Sequence, residues 1–244
     1  MRPVLFKWRG ITVWSYPAML YFGLVLGVLA GDIAAHAANI NALRTYAATL
    51  ILIIPALAGA RLLYVAAQWD TYKHNPRRIW DRTDGGFIMY GGLPAVLILS
   101  IPLLRALYLN FGTFWDVSSF TILVGMMFTR VGCLLHGCCA GRPSQSWLSA
   151  YLPNPKGVWE KRLPTQIFES ASALVLLVSA IMAWHRIPFR GGLFLFVACG
   201  YASARLLMEF ARERDTAARL SVAHVISIVT VLLSISTLTI YWRQ

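Results

Sequence analysis

Phe114-Trp115-Asp116-Val117-Ser118-Ser119-Phe120-Thr121-Ile122-Leu123-Val124-Gly125-Met126-Met127-Phe128 runs directly into Thr129-Arg130-Val131-Gly132-Cys133-Leu134-Leu135-His136-Gly137-Cys138-Cys139-Ala140-Gly141-Arg142-Pro143. The first half is apolar and uncharged apart from Asp116, and reads as a membrane helix. The second half packs two arginines, three cysteines, a histidine and three glycines into the end of that helix and the residues just after it. Cations and backbone-breaking glycines at membrane depth are costly unless they line a cavity. This junction therefore decides two things at once: the chain is a membrane protein, and its working site is expected here.

Outward from the junction, the rest of the 244 residues agree. Hydrophobic residues make up 58% and charged residues only 13%, where a soluble domain carries roughly a quarter charged residues. Seven apolar segments can be marked, at about Tyr16–Ala30, Tyr46–Ala67, Phe87–Leu107, Phe114–Leu135, Thr165–Trp184, Gly192–Phe210 and Leu220–Trp242. Each is near the length that spans a bilayer as a helix. No linker is long enough to divide them, so one polytopic domain over residues 1–244 is expected. There is no internal repeat. Ala35-His36-Ala37 has the look of a cleavage site after the first segment, but six further spans follow, and a retained helix is expected.

The formal net charge is +12. Its cations are spread over short loops between apolar runs, which argues against nucleic acid and for anionic lipid headgroups. Arg2, Lys7, Arg9, Lys73, Arg77, Arg78, Arg82, Arg142, Lys156, Lys161, Arg162, Arg212, Arg214 and Arg219 fall on one side of the membrane. By the positive-inside rule that side, with the N-terminus, is cytoplasmic.

Several residues stand where a plain apolar span would not have them. Arg61 lies inside the second segment, Arg130 closes the fourth, Gln166 and Glu169 open the fifth, Arg205 and Glu209 lie in the sixth, and His224 in the seventh. Arg205 and Glu209 are four apart and share a helix face, so they pair. The remaining arginines outnumber the carboxylates available to them. An external anion, most simply a phosphate gripped by guanidinium forks, is the expected partner. Gly91 and Gly92 flank Tyr90 at the start of the third span, where either a ligand or a neighbouring helix approaches closely.

Cys133, His136, Cys138 and Cys139 offer soft ligands within seven residues. Zinc binding, a disulfide, a cation-activated thiolate and simple packing at a helix end are all compatible with the spacing. Adjacent Cys138 and Cys139, with no second pair elsewhere, fit poorly with a zinc-finger loop.

Taken together these motifs resemble the prolipoprotein diacylglyceryl transferases. That family carries an Arg-hydrophobic-Gly-Asn-Phe-x-Asn-Gly-Glu-x-x-Gly signature after its fourth span; Arg130, Gly132, Gly137 and Gly141 match its arginine and glycines. Pro164-Thr165-Gln166-Ile167-Phe168-Glu169 is similar to its His-Pro-Ser-Gln-hydrophobic-Tyr-Glu motif. Arg205, Glu209, Arg212 and Asp215 keep the spacing of a third family element. Gly59-Ala60-Arg61, Gly91-Gly92-Leu93 and Leu220–Ser227 match further patterns, with His224 where the family usually has glutamine. Three polar signature positions differ, being occupied here by Cys133, His136 and Cys138, and Tyr90 stands where the family often has histidine.

The resemblance implies an all-α integral membrane fold, seven transmembrane helices around a lipid-accessible cavity, in a bacterial inner membrane. It implies a transferase that moves the diacylglyceryl group of phosphatidylglycerol, or a related anionic phospholipid, to the lipobox cysteine of a preprolipoprotein signal peptide. Glycerol phosphate is released, and no metal or other cofactor is required. It places the N-terminus outside, against the charge count, and this orientation is the one expected, because the arginines on that side are the ones the implied mechanism uses. Carried over, Arg130 and Arg205 grip phosphate and Glu209 orients Arg205. Arg61, Gln166, Glu169, Gly91, Gly92, Gly132, Gly137, Gly141, Arg212, Cys133 and Cys138 line the substrate site, and His136 or Tyr90 serves as base. Two other readings stay open: a thiol-redox or metal-handling protein built on the cysteine cluster, and a phospholipid-binding protein without catalysis.

Overall fold

The computed structural model describes residues 4–8, 11–73, 89–154, 157–212 and 222–242. Asp215, Gly85, Gly86 and the loop cations Arg2, Arg9, Arg77, Arg78, Arg82, Lys156, Arg214 and Arg219 lie outside them, as does the side chain of Tyr90. The described chain is a series of helices with two small hairpins. Strands β1 (Val4–Trp8) and β2 (Ile11–Trp14) precede helices α1 (Ser15–Ala37), α2 (Ala42–Ala67), the single turn α3 (Trp69–Tyr72), α4 (Met89–Ala106) and α5 (Phe111–His136). Strands β3 (Ala150–Pro153) and β4 (Trp159–Arg162) lead into α6 (Thr165–Ala183), α7 (Gly192–Glu209) and α8 (Val222–Trp242).

Six of these helices are long and apolar enough to cross a membrane, and α4 adds a shorter apolar helix over Gly91–Ala106. The side chains are distributed as a lipid solvent requires. Ile54 is 71% exposed, whereas Gln166 is 2% and Arg162 1% exposed. Apolar groups face outward and polar ones are buried, because hydrocarbon cannot hydrogen-bond. The chain is a multi-pass membrane protein.

The sequence spans recur with their ends shifted. Helix α1 continues past Ala30 through Asp32 and His36, so Ala35-His36-Ala37 is its last turn. Helix α2 begins before Tyr46, because Asn41 caps it by accepting a bond from the Arg44 amide at 2.9 Å. Hydropathy marks the oily middle of a helix; polar caps set where it stops. The hairpins β1–β2 and β3–β4 carry no hydropathy signal of this kind.

The chain forms two compact units. One comprises Met1–Ala34 with Trp115–Gln244. Within it, α1 packs on α5 through Gly23, Gly27 and Gly31, one residue per turn on one face. A Cβ on Gly27 would sit 2.7 Å from the Thr121 carbonyl, and one on Gly23 would sit 2.9 Å from the Phe128 Cβ. Gly132 extends the seam against Met19 and Tyr16. Small residues are what permit close backbone approach where no hydrophobic force drives helices together. Asp116, the single charge in the apolar run, accepts from the amides of Gly191 at 2.7 Å and Phe194 at 2.9 Å. It thereby caps α7, whose own N-cap, Gly191 (φ 92°), has no side chain to do so.

The other unit comprises Ala35–Phe114. It is built on the packing of α2 against α4. A Cβ on Gly59 would meet the Gly91 carbonyl at 2.5 Å and Ala95 at 2.6 Å, and one on Gly92 would meet the Ala56 carbonyl at 2.7 Å. Gly91 and Gly92 thus face α2. Arg61 stands over the rings of Tyr64 and Tyr72, at 5.5 and 5.8 Å from their centroids.

Candidate active site

The C-terminal end of α5, the N-terminal end of α6 and the C-terminal end of α7 meet around one short loop, residues 137–143. The loop starts as a helix stop. Gly137 adopts φ 85° and its amide bonds to the Leu134 carbonyl at 3.2 Å, while the Cys138 amide reaches the Cys133 carbonyl at 3.1 Å. This is the Schellman pattern, which favours glycine at that position. Cys139 follows at φ 65°. A left-handed residue with a Cβ costs roughly 1–2 kcal/mol, so the surroundings must hold it there.

They do so from α6 and β4. Thr165 Oγ1 donates to the Cys139 carbonyl at 2.8 Å and Gln166 Nε2 to the Cys138 carbonyl at 2.6 Å. Arg162, fully buried, donates Nε to the Gly141 carbonyl at 2.7 Å and pairs with Glu160 at 2.6 Å. The Gly141 amide bonds to the Leu163 carbonyl and the Arg142 amide to that of Ala211. A Cβ on Gly141 would run into the carbonyls of Ala211 and Leu163 and the methyl of Thr165. Glycine is the residue that fits. Gln166 keeps its Oε1 buried and without a hydrogen-bond partner among the described residues.

Beside this loop lies a cluster of charges centred on Glu169. Arg130 Nε is 2.5 Å from Glu169 Oε2, Arg205 Nη1 is 3.3 Å from Oε1, and Arg212 Nη2 is 3.4 Å from Oε1. Arg205 Nη2 is also 3.3 Å from Glu209 Oε2, the i,i+4 pair expected from the sequence. Glu169 is 5% exposed. The arginines are therefore not the unpaired cations that the sequence reading expects. Glu169 and Glu209 engage them, because α6 inserts its carboxylate between α5 and α7. Among the described residues the cluster sets three guanidiniums around two carboxylates.

The thiols form a second cluster in the same place. The Sγ atoms of Cys133, Cys138 and Cys139 lie within 4.8 Å of one another. All are free thiols. His136 is not in this group; it is exposed at the end of α5, with its ring 6.4 Å from that of Tyr16. Thiol hydrogen bonds from Cys133 and Cys138, with Arg130 and Arg212 nearby, hold the Cys139 thiol below its ordinary range. Its bonds with Cys133 and Cys139 push Cys138 up.

Arg130, Glu169, Arg205, Glu209, Arg212, Gln166, Gly132, Gly137, Gly141, Cys133 and Cys138 thus all fall at or next to this junction. Arg61, Gly91 and Gly92 belong to the other unit.

Comparison with known proteins then fixes the relationship. The family model for prolipoprotein diacylglyceryl transferase matches residues 3–240. A protein of Dehalococcoides mccartyi named phosphatidylglycerol--prolipoprotein diacylglyceryl transferase is 31% identical over 221 residues, covering 87% of this chain and 83% of its own. One of the same name from Clostridium tetani is 27% identical over 247 residues, with 96% of each chain covered. This chain belongs to the prolipoprotein diacylglyceryl transferase family. As a member of that transferase family, it builds its charge cluster on the motifs that carried the resemblance. Sequence reading did not find Arg162, which looks like one more loop cation. Its pairing across a hairpin of no hydropathic signature is what buries it. Tyr201, within electrostatic reach of Arg130 on the neighbouring helix, was equally silent.

Proposed function

We propose that this chain transfers the diacylglyceryl group of phosphatidylglycerol, or a related anionic phospholipid, to the lipobox cysteine of a preprolipoprotein in a bacterial inner membrane. Glycerol phosphate is the product released. The observation that carries the reading is the convergence of Arg130, Arg205 and Arg212 on the buried Glu169, beside the 137–143 loop.

The chemistry follows from that arrangement. The C–O bond between the glyceryl carbon and the phosphate breaks as the acceptor sulfur attacks, and negative charge grows on the leaving phosphate. Arg130 and Arg205, held in place by Glu169 and Glu209, stabilise that charge better in the transition state than in the ground state. Gln166 and the 137–143 loop form the wall beside them. His136, exposed at the helix end, is the candidate base for the acceptor thiol.

Arg205→Lys is the decisive variant. A point charge replaces the fork that spans Glu169 and Glu209, so transfer from phosphatidylglycerol vesicles to a lipobox peptide should fall at least about tenfold while the protein remains in the membrane. Transfer at the wild-type rate by the lysine variant, or none by the wild type, removes the reading.

A further inference from the structure

We propose that Cys133, Cys138 and Cys139 form a three-thiolate site for a soft divalent ion of the zinc class, whose fourth position takes the thiol that is to be alkylated. The second half of this statement rests on the transferase reading above; the first does not.

The geometry is that of a nearly assembled ligand set. Three sulfurs lie within 4.8 Å of one another. Zinc–sulfur bonds of about 2.3 Å in a tetrahedron bring sulfurs to about 3.8 Å, so side-chain rotations alone close the site. The backbone is already committed. Cys133 is on the last turn of α5, the Schellman turn brings Cys138 back over it, and Cys139 is held left-handed. Thr165 and Gln166 of α6 fasten the carbonyls of Cys139 and Cys138. Three residues of one chain segment are thereby aimed at one point, and His136 is turned away from it. Thiolates select soft ions, and three protein ligands with a fourth position open is the pattern of reactive rather than structural zinc.

The position gives that open site a use. Cys133 is one turn beyond Arg130 on α5, and Gln166, buried with a free Oε1, lies between the loop and Glu169 on α6. A thiol bound to the ion loses its proton to water on coordination, so this route takes the place of His136 as the base. The resulting thiolate then stands beside the arginines that would hold phosphate. The S–C bond forms with the sulfur's electron pair, the C–O bond breaks, and glycerol phosphate departs with the electrons of that bond. The ion keeps its charge throughout. No oxidant or reductant is needed.

The test uses the full-length protein in detergent. Cd2+ titration should give a sulfur-to-cadmium charge-transfer band saturating at about one ion per chain. The band should be lost in Cys138→Ser and Cys139→Ser and kept in Cys199→Ser. Bound Cd2+ should also protect three of the four thiols from maleimide, which needs no variant and so does not depend on the serine forms folding. With Co2+ as probe, a lipobox peptide should change the visible spectrum and its cysteine-to-serine analogue should not. Arg205→Lys should keep the ion and the spectral change while losing transfer. No band in the wild type, a band that survives in Cys138→Ser, or protection of one thiol or none overturns the site. Equal response to both peptides overturns the acceptor role. Transfer without metal uptake sinks this inference and leaves the transferase; metal and peptide binding without transfer does the reverse.

Discussion

The packing of α2 on α4 and the junction of α5, α6 and α7 solve the same problem in opposite ways. Both must hold helices together in a solvent as oily as their own side chains. The first uses almost nothing but backbone: Gly59, Gly91, Gly92, Ala56 and Ala95 let two helices touch. The second uses two carboxylates, three guanidiniums, a buried glutamine and a fourth arginine, fully buried, on β4. Glycine contacts are the inexpensive way to join membrane helices. Charges are the expensive way, tolerated only when matched. A structure that uses the expensive means at one junction, when the inexpensive one serves elsewhere, is marking that junction for chemistry.

The sharpest way to break this contrast is Glu169→Ala. Arg205 would keep Glu209, while Arg130 and Arg212 would lose the carboxylate they pair with among the described residues. Removing one partner of a buried ion pair costs about 3–5 kcal/mol, so the melting temperature in detergent should fall steeply and transfer should vanish. An unchanged melting temperature would mean that the cluster is solvated. Gly59→Ile probes the opposite region. Its side chain has no room against Gly91 and Ala95, and overpacking should cost about 1–3 kcal/mol, read as a lower melting temperature. Asp116→Ala removes the carboxylate that caps α7 from another helix. A loss of about 0.5–2 kcal/mol is expected, with faster amide exchange at Gly191 and Phe194. The smallest effect has the other sign. Cys139→Gly relieves a left-handed side chain and should stabilise the fold by about 1 kcal/mol, while it weakens Cd2+ uptake. A destabilised glycine variant would mean that the thiol, not the backbone, holds that turn.

Much of this was readable before any fold was known, and the reasons are local. Arg205 and Glu209 pair because a helix puts residues four apart on one face. Gly137 ends α5 because the chain must turn left-handed there. The apolar spans survive with shifted ends, since hydropathy sees their middles and not their caps. What was not readable depended on residues far apart in the chain. Glu169 looks like one carboxylate at a helix start; only the packing of α6 between α5 and α7 makes it the partner of three arginines. Arg162 reads as a solvated loop charge until β4 buries it.

The cysteines make the same point from the other side. Their sequence spacing left disulfide, metal, thiolate and packing open, and it grouped His136 with them. The turn at 137–139 brings the three sulfurs together and leaves the imidazole out. Sequence alone determined the solvent this protein lives in, the number of its apolar segments and the family it belongs to, because those depend on composition and short periodic spacing. Tertiary structure alone decided which charges neutralise one another and which thiols meet. Coulomb energy and coordination depend on separations of a few ångströms, and only the packed helices set those.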